Sequence, residues 1–400
     1  MKPRPLSGLR VIDLSRVVAA PTCTQILGDL GAEVIKIERP GEGDESRRYG
    51  VQVVRDASGR AGSEGAMHIS VNRNKKGITL DIAKPAGQEL VRRLAAKADV
   101  LVENFKVGDL ARYGLDHDAI KAINPRIVYC SVTGYGQTGP YRTKPGYDSV
   151  FQARGGWMSV NGTAEEPMMV AANMADTIAG YFAAMSVLAA LYHRDRSDDP
   201  GGQGQAIDIG MLDVALASMA VRAQDWLLSG TQPPRRDNAG SVFPCADGSI
   251  VAAIAIDSRW QRFCELIGAP EIGRDPRYAG YADRQKRPDG FEKAGEYSRK
   301  HKTSELVAAL EAAGVPVAPI YDFAQAFADP QAQARGLTRR ARHASGAELD
   351  LVANPMRFSA TPLESYEAPP VLGQHTDEVL SGLLGLSSSE LDELRRDGVI

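Results

Sequence analysis

The residue with the clearest chemical potential in this sequence is Asp176. It sits in Asn173-Met174-Ala175-Asp176-Thr177-Ile178-Ala179-Gly180, at the head of an apolar run from Tyr181 to Tyr192. A carboxylate in the first turn of a helix has two readings. It can cap the helix by accepting backbone N–H groups that have no intrahelical partner. Or the helix N-terminus can hold it ionised and aimed into a cleft, where it acts as a nucleophile.

Several alternative chemistries are missing from the sequence. There is no GxxxxGKS or GxxxxGKT segment for phosphate-loop nucleotide chemistry. No HExxH and no Cys/His cluster points to a metal, so none is expected. The six histidines (His68, His117, His193, His301, His343, His375) are scattered and have no GxSxG partner, which excludes a serine hydrolase. Catalysis is left to a carboxylate with binding and electrostatic help.

Gly134-Tyr135-Gly136-Gln137-Thr138-Gly139 matches GxGxxG after a strand. A dinucleotide fingerprint needs its third glycine to open a helix. Here Pro140 and Pro145 continue a loop, so the segment reads as a glycine-rich loop whose backbone can approach a ligand closely.

The elements that must position Asp176 alternate in type. Leu9–Leu14 is a strand, and a helix opening at Ala19-Ala20-Pro21-Thr22 runs to about Leu30. Gly31 closes it, and Glu33–Glu38 is the next strand. This is a βαβ unit and predicts a parallel sheet with right-handed crossovers. Ile78–Asp81, Val100–Glu103, Arg126–Val132 and Ala206–Ile209 read as further strands, and Gly87–Lys97 as an amphipathic helix. Loops at the carboxyl ends of such strands line the ligand crevice, and Arg39 sits at one. Asn72-Arg73-Asn74-Lys75-Lys76-Gly77 is a compact basic turn. The Tyr181–Tyr192 run predicts a helix buried on all sides, and Met211–Leu228 a long helix.

At 400 residues the chain exceeds one ordinary core. The Pro- and Arg-rich stretch from Thr231 marks a linker, beyond which Phe243–Ile256 reads as a hairpin turned at Ala246-Asp247-Gly248. The expected division is 1–230, 231–330 and 331–400. A net charge of −3 offers no basic field for nucleic acid. Cys23, Cys130, Cys245 and Cys264 form no CxxC and read as buried free thiols in a reducing compartment. Neither a signal peptide nor a membrane-length apolar run is apparent, so a cytoplasmic protein is expected.

Together these motifs carry a resemblance. Pro5–Leu14, Gly28–Glu38, Asn72–Lys76, Glu103-Asn104-Phe105, Gly134–Pro140 and Ala175-Asp176 resemble the class III coenzyme A transferases, nearly end to end. The chain is most similar to the succinyl-CoA–glutarate type. The resemblance implies an α/β fold: a Rossmann-like parallel sheet built from both chain ends, an inserted small α+β domain, and an interlocked homodimer. It implies coenzyme A and acyl-CoA as substrates, a carboxylic acid acceptor and no tightly bound cofactor.

Asp176 matches the family's nucleophile, which forms an aspartyl anhydride and then an aspartyl-CoA thioester. Arg39, Lys75, Asn104, Phe105 and Arg112 match residues that hold CoA. Arg39 and Lys75 would meet its phosphates, and Tyr141 matches an active-site tyrosine. Two departures are visible. Val17-Val18 stands where formyl-CoA transferase has a glutamine, and Ala252-Ala253-Ile254-Ala255-Ile256 where it has a four-glycine loop. The related acyl-CoA racemases carry a histidine in Gly-His-Asp. Here that segment is Gly146-Tyr147-Asp148, so racemisation is the lesser alternative beside a non-catalytic CoA-binding protein.

Overall fold

The computed structural model describes residues 4–51, 54, 64–196, 202–235 and 242–400. Most of the Val51–His68 segment and part of the linker after Thr231 therefore lie outside the described residues. The chain divides into two compact units. One comprises Met1–Ser159, Met168–Pro233 and Gly336–Ile400, the other Val160–Pro167 and Pro234–Arg335. The divisions fall at Pro233 and Arg335 rather than at 230 and 330. Gln232 still bonds Ser159 Oγ at 3.1 Å. The Pro330–Ala334 helix, capped by Asp329, packs on the Phe323–Ala328 helix.

The first unit is built on six parallel strands: β1 (Arg10–Asp13), β2 (Glu33–Glu38), β3 (Lys75–Thr79), β4 (Val100–Glu103), β5 (Val128–Thr133) and β6 (Ala206–Gly210). Their order is β3-β2-β1-β4-β5-β6. The order reverses between β1 and β4, and in such sheets ligands bind outside the carboxyl ends of the strands at that point. The strands are buried runs such as Val-Ile-Lys-Ile, as expected when both faces are covered.

One expectation is corrected here. Among the described residues every strand of this sheet comes from the chain before residue 211. The C-terminal segment contributes the helices Thr376–Leu384 and Ser388–Arg396, whose Val379, Leu380 and Leu391 join the core beside Ile35 and Leu101. It also contributes a separate hairpin, Thr338–Arg342 with Glu348–Val352.

Asp176 lies on the helix Met174–Arg196, which packs on the helix Ala19–Asp29. Gly180 sets their separation, because a Cβ there would lie 2.5 Å from the Ala19 carbonyl oxygen and 2.6 Å from Thr22 Cβ. The helix is not buried all round, as the apolar run predicted: Tyr181, Met185 and Tyr192 are exposed. The expected long helix from Met211 breaks at Met219 into Met211–Ser218 and Ala220–Ser229.

The second unit holds a three-stranded antiparallel sheet, Val242–Pro244, Ser249–Ala252 and Val317–Pro319. Phe243, Trp260 and Phe263 centre its core.

Candidate active site

Asp176 is the third residue of its helix, a position from which a carboxylate commonly reaches back to the chain. It does not cap here. Asp148, the first residue of the helix Asp148–Arg154, does so from outside: its Oδ1 accepts the N–H groups of Ala175 (2.7 Å) and Asp176 (3.2 Å). Among the described residues the Asp176 carboxylate has one weak partner, Asn173 Nδ2 at 3.5 Å. Of the two readings of Asp176, capping is thus already performed by another residue.

Burial, and then the Asp148 carboxylate, push Asp176 up to about 7, against the pull of Asn173. Near neutrality much of it is ionised, and a carboxylate of raised basicity is a stronger nucleophile than an ordinary one.

Asp176 faces a cavity of about 200 Å³ whose walls include Val17, Asn104, Phe105, Arg142, Lys144 and Tyr147. This is below the ~300–1,000 Å³ of sites for drug-sized ligands, and fits a short acyl chain. A larger cavity, about 550 Å³, lies at the carboxyl ends of β1 to β4 and is lined by Arg39, Arg48, Phe105 and Arg112 among others. Arg16, Glu45 and Phe105 line both. No histidine lines the cavity beside Asp176 among the described residues, so the second acid–base partner of a racemase is missing there.

Val17 sits in the strand-to-helix loop after β1 with φ +68°, a left-handed conformation that is a real outlier for a β-branched residue. Both Asp44 carboxylate oxygens accept its N–H at 3.2 Å. Asp44 is itself buried on Lys36 at 2.9 Å. The sequence offered no signal for this strained loop.

Two of the expected CoA contacts, Lys75 and Asn104, have their polar groups engaged within the protein. Lys75 is fully buried, and its ammonium bonds Asp13 Oδ2 (3.0 Å), the Pro21 carbonyl (3.0 Å) and Asn72 Oδ1 (2.9 Å). Burial outweighs Asp13 and lowers it to about 8. All three donors are occupied, so no phosphate contact is left to it. The other cations of the basic turn are also engaged: Arg73 with Asp29 at 2.5 Å, and Lys76 with Glu33 and Glu378.

Asn104 lines the small cavity, but it is tied to the Arg16 backbone. Its Oδ1 accepts the N–H at 2.9 Å and its Nδ2 donates to the carbonyl at 2.8 Å. It shapes the loop rather than presenting a free amide.

Arg39 and Arg112 are exposed on the larger cavity, with Glu42 at 3.1 Å and Asp109 at 3.8 Å respectively. Tyr141 lines neither cavity. Its ring is stacked edge-on against Tyr135 (5.6 Å), with Lys144 Nζ 3.9 Å and Arg154 5.1 Å from its centre. Gly134, the first glycine of the loop that mimicked a dinucleotide motif, and Gly146 beyond that motif make room for Phe151. A Cβ at Gly134 or Gly146 would lie 2.7 or 2.2 Å from Phe151 Cζ.

The sequence profile of CoA-transferase family III matches residues 6–376. A succinate–glutarate CoA-transferase of Agrobacterium fabrum is 40% identical over 388 residues, 95% of this chain and 96% of that protein. A human succinyl-CoA:glutarate CoA-transferase is 34% identical over 99% of this chain and 90% of its own length. Among solved structures, a CAIB/BAIF family protein from Brucella suis superposes with a TM-score of 0.86 at 36% identity, covering 96% of this chain and all (100%) of that one. The profile match from residue 6 to 376, with 40% and 34% identity along nearly the whole length of two CoA-transferases, shows that this chain belongs to CoA-transferase family III.

Proposed function

We propose that the protein moves CoA from succinyl-CoA to a dicarboxylate, through acyl intermediates on Asp176. The carrying observation is that carboxylate: it points into a small cavity, free of the capping bonds that Asp148 supplies in its place. Asp176 attacks the thioester carbonyl, giving an aspartyl anhydride and releasing CoA thiolate. The thiolate attacks the aspartyl carbonyl, giving an aspartyl-CoA thioester and the free donor acid. The acceptor carboxylate then attacks that thioester, forming a new anhydride and expelling the thiolate. The thiolate attacks the acceptor's carbonyl, which yields the new acyl-CoA and restores Asp176. Dividing the exchange in this way is covalent catalysis.

The nucleotide end of CoA is placed in the larger cavity, where Arg39, Arg48 and Arg112 offer cations to phosphate. The acyl end passes Phe105 toward Asp176. The dicarboxylate assignment rests on the relatives acting between succinate and glutarate, and on the cations around the small cavity: Arg16, Lys106, Arg142 and Lys144. Arg47 is not a candidate for the distal carboxylate, being buried against Glu38 at 2.7 Å.

Two copies are proposed to associate. Support comes from exposed Tyr181, Met185 and Tyr192 on one helix and Trp226, Leu227 and Leu228 on another, an apolar surface of the kind that interfaces cover.

Screening succinyl-CoA against malonate, glutarate, adipate, formate and acetate tests the substrate assignment. Turnover should be confined to dicarboxylates; exclusive use of monocarboxylates would overturn it.

A further inference from the structure

The segment leading into Asp176 is gripped at two points by one short helix, Asp148–Arg154. At the first point, Asp148 Oδ1 accepts the N–H groups of Ala175 and Asp176, while its Oδ2 accepts from Gln152 Nε2 at 2.5 Å. At the second, Gln152 binds both polar groups of the Val170 backbone: Oε1 accepts its N–H at 2.8 Å and Nε2 donates to its carbonyl at 2.9 Å. Gln152 is fully buried and Asp148 nearly so.

Between the two grips the chain turns through Ala172 (φ +77°) and Asn173 (φ +51°), consecutive non-glycine residues in the left-handed region. Such conformations are strained and persist only where neighbours over-determine them. The clamp is that neighbour.

We propose that Asp148 and Gln152 are positioning residues for acyl transfer. They hold the tip of the Met174–Arg196 helix and cap it from outside, which leaves the Asp176 carboxylate for the substrate. The inference rests on the reading of Asp176 as the nucleophile. The physical logic is reciprocal. A first-turn carboxylate left to itself would turn back onto the backbone N–H groups and lower its own nucleophilicity. A second carboxylate already occupying those donors prevents this. It also places one negative charge behind another, which keeps Asp176 basic.

The charged groups around Asp176 are Arg16, Glu45, Lys106, Arg142 and Lys144 on the cavity wall. Asp148 and Arg154 lie on the clamping helix, Asp29 on the Ala19–Asp29 helix, Asp208 on β6 and Asp213 on the helix after it. Among them Asp148 is the one whose charge opposes ionisation of Asp176.

The test compares Gln152→Ala and Asp148→Asn with the parent enzyme in succinyl-CoA-dependent transfer, after thermal unfolding confirms that each is folded. Asp148→Asn keeps an oxygen for the helix N–H groups and so guards against a variant that simply fails to fold. Expected for Gln152→Ala is a fall in kcat of about ten- to a hundredfold with the donor KM unchanged. Its ascending pH limb should stay in place, because no charge is removed. Asp148→Asn should lower kcat and also move that limb to lower pH.

The inference is overturned if folded variants keep the parental kcat, or if the pH limb of Asp148→Asn does not move. Asp176→Asn, run alongside, separates the two readings. If it remains active, the nucleophile reading fails; if it is dead while the clamp variants are parental, only the clamp fails.

Discussion

The Arg16 guanidinium lies 4.8 Å from the centre of the Phe105 ring, and these two side chains are walls of both cavities. The stacked pair therefore stands where the two cavities meet. Arg16 is held there by the two bonds from its backbone to Asn104, and Phe105 by its N–H to Glu103 Oε2 at 2.7 Å.

Removing the ring should loosen the grip on the donor more than it slows chemistry. Phe105→Ala is expected to raise the KM for succinyl-CoA about tenfold, with kcat changed only a few-fold. Steady-state kinetics with the acceptor saturating provides the check.

Arg142 lines the small cavity and not the large one. Arg142→Ala should therefore raise the acceptor KM, by about ten- to a hundredfold for a lost charged contact, and leave the donor KM in place.

Asp44 joins the strained Val17 loop to a buried Lys36. Asp44→Ala leaves that ammonium desolvated without its partner and should cost about 3–5 kcal/mol. Burial raises the Asp44 pKa, but Lys36 and the Ser46 N–H outweigh it, so its carboxyl lies well below its usual value of 3.8. A depressed folded pKa stabilises above the unfolded pKa and loses that contribution as pH falls below it. Urea midpoints of the parent should thus drop steeply in acid, and those of Asp44→Ala less so.

Asp176 titrates the other way. Burial and Asp148 raise it from 3.8 to about 7. As the proposed nucleophile it must be ionised, so kcat/KM for the donor should rise with pH up to about 7 and then level off. The fold favours the neutral acid, so stability should decline as pH climbs from about 3.8 through about 7. Asp176→Asn removes that decline. Above neutrality it should be more stable than the parent by on the order of 2 kcal/mol, measured by denaturant unfolding.

The strands β1, β2, β4, β5 and β6 were legible because apolar runs between turn signals report themselves locally. So was the place of Asp176 at a helix start. Lys75 was not, because its partner Asp13 lies 62 positions away. A lysine in a basic turn looks the same in sequence whether it faces phosphate or a buried carboxylate, and here the turn's lysines open β3 instead. Asp148 is 27 and 28 residues from the N–H groups it caps, so the residue relieving Asp176 of that duty had no local signature. The left-handed backbone of Val17 was equally hidden, since a valine signals extended chain. The exposed face of the Met174–Arg196 helix was misread because composition records how apolar a helix is, not which surface covers it.

Asp176 is proposed to become acylated during turnover. The most direct measurement is peptide mass spectrometry of enzyme quenched during reaction with succinyl-CoA, with and without hydroxylamine. The peptide containing Asp176 should carry a CoA or acyl adduct, which hydroxylamine should displace to leave the Asp176 hydroxamate, and Asp176→Asn should carry none and transfer no CoA. An unmodified Asp176 peptide together with an Asp176→Asn enzyme that transfers at the parental rate would contradict it.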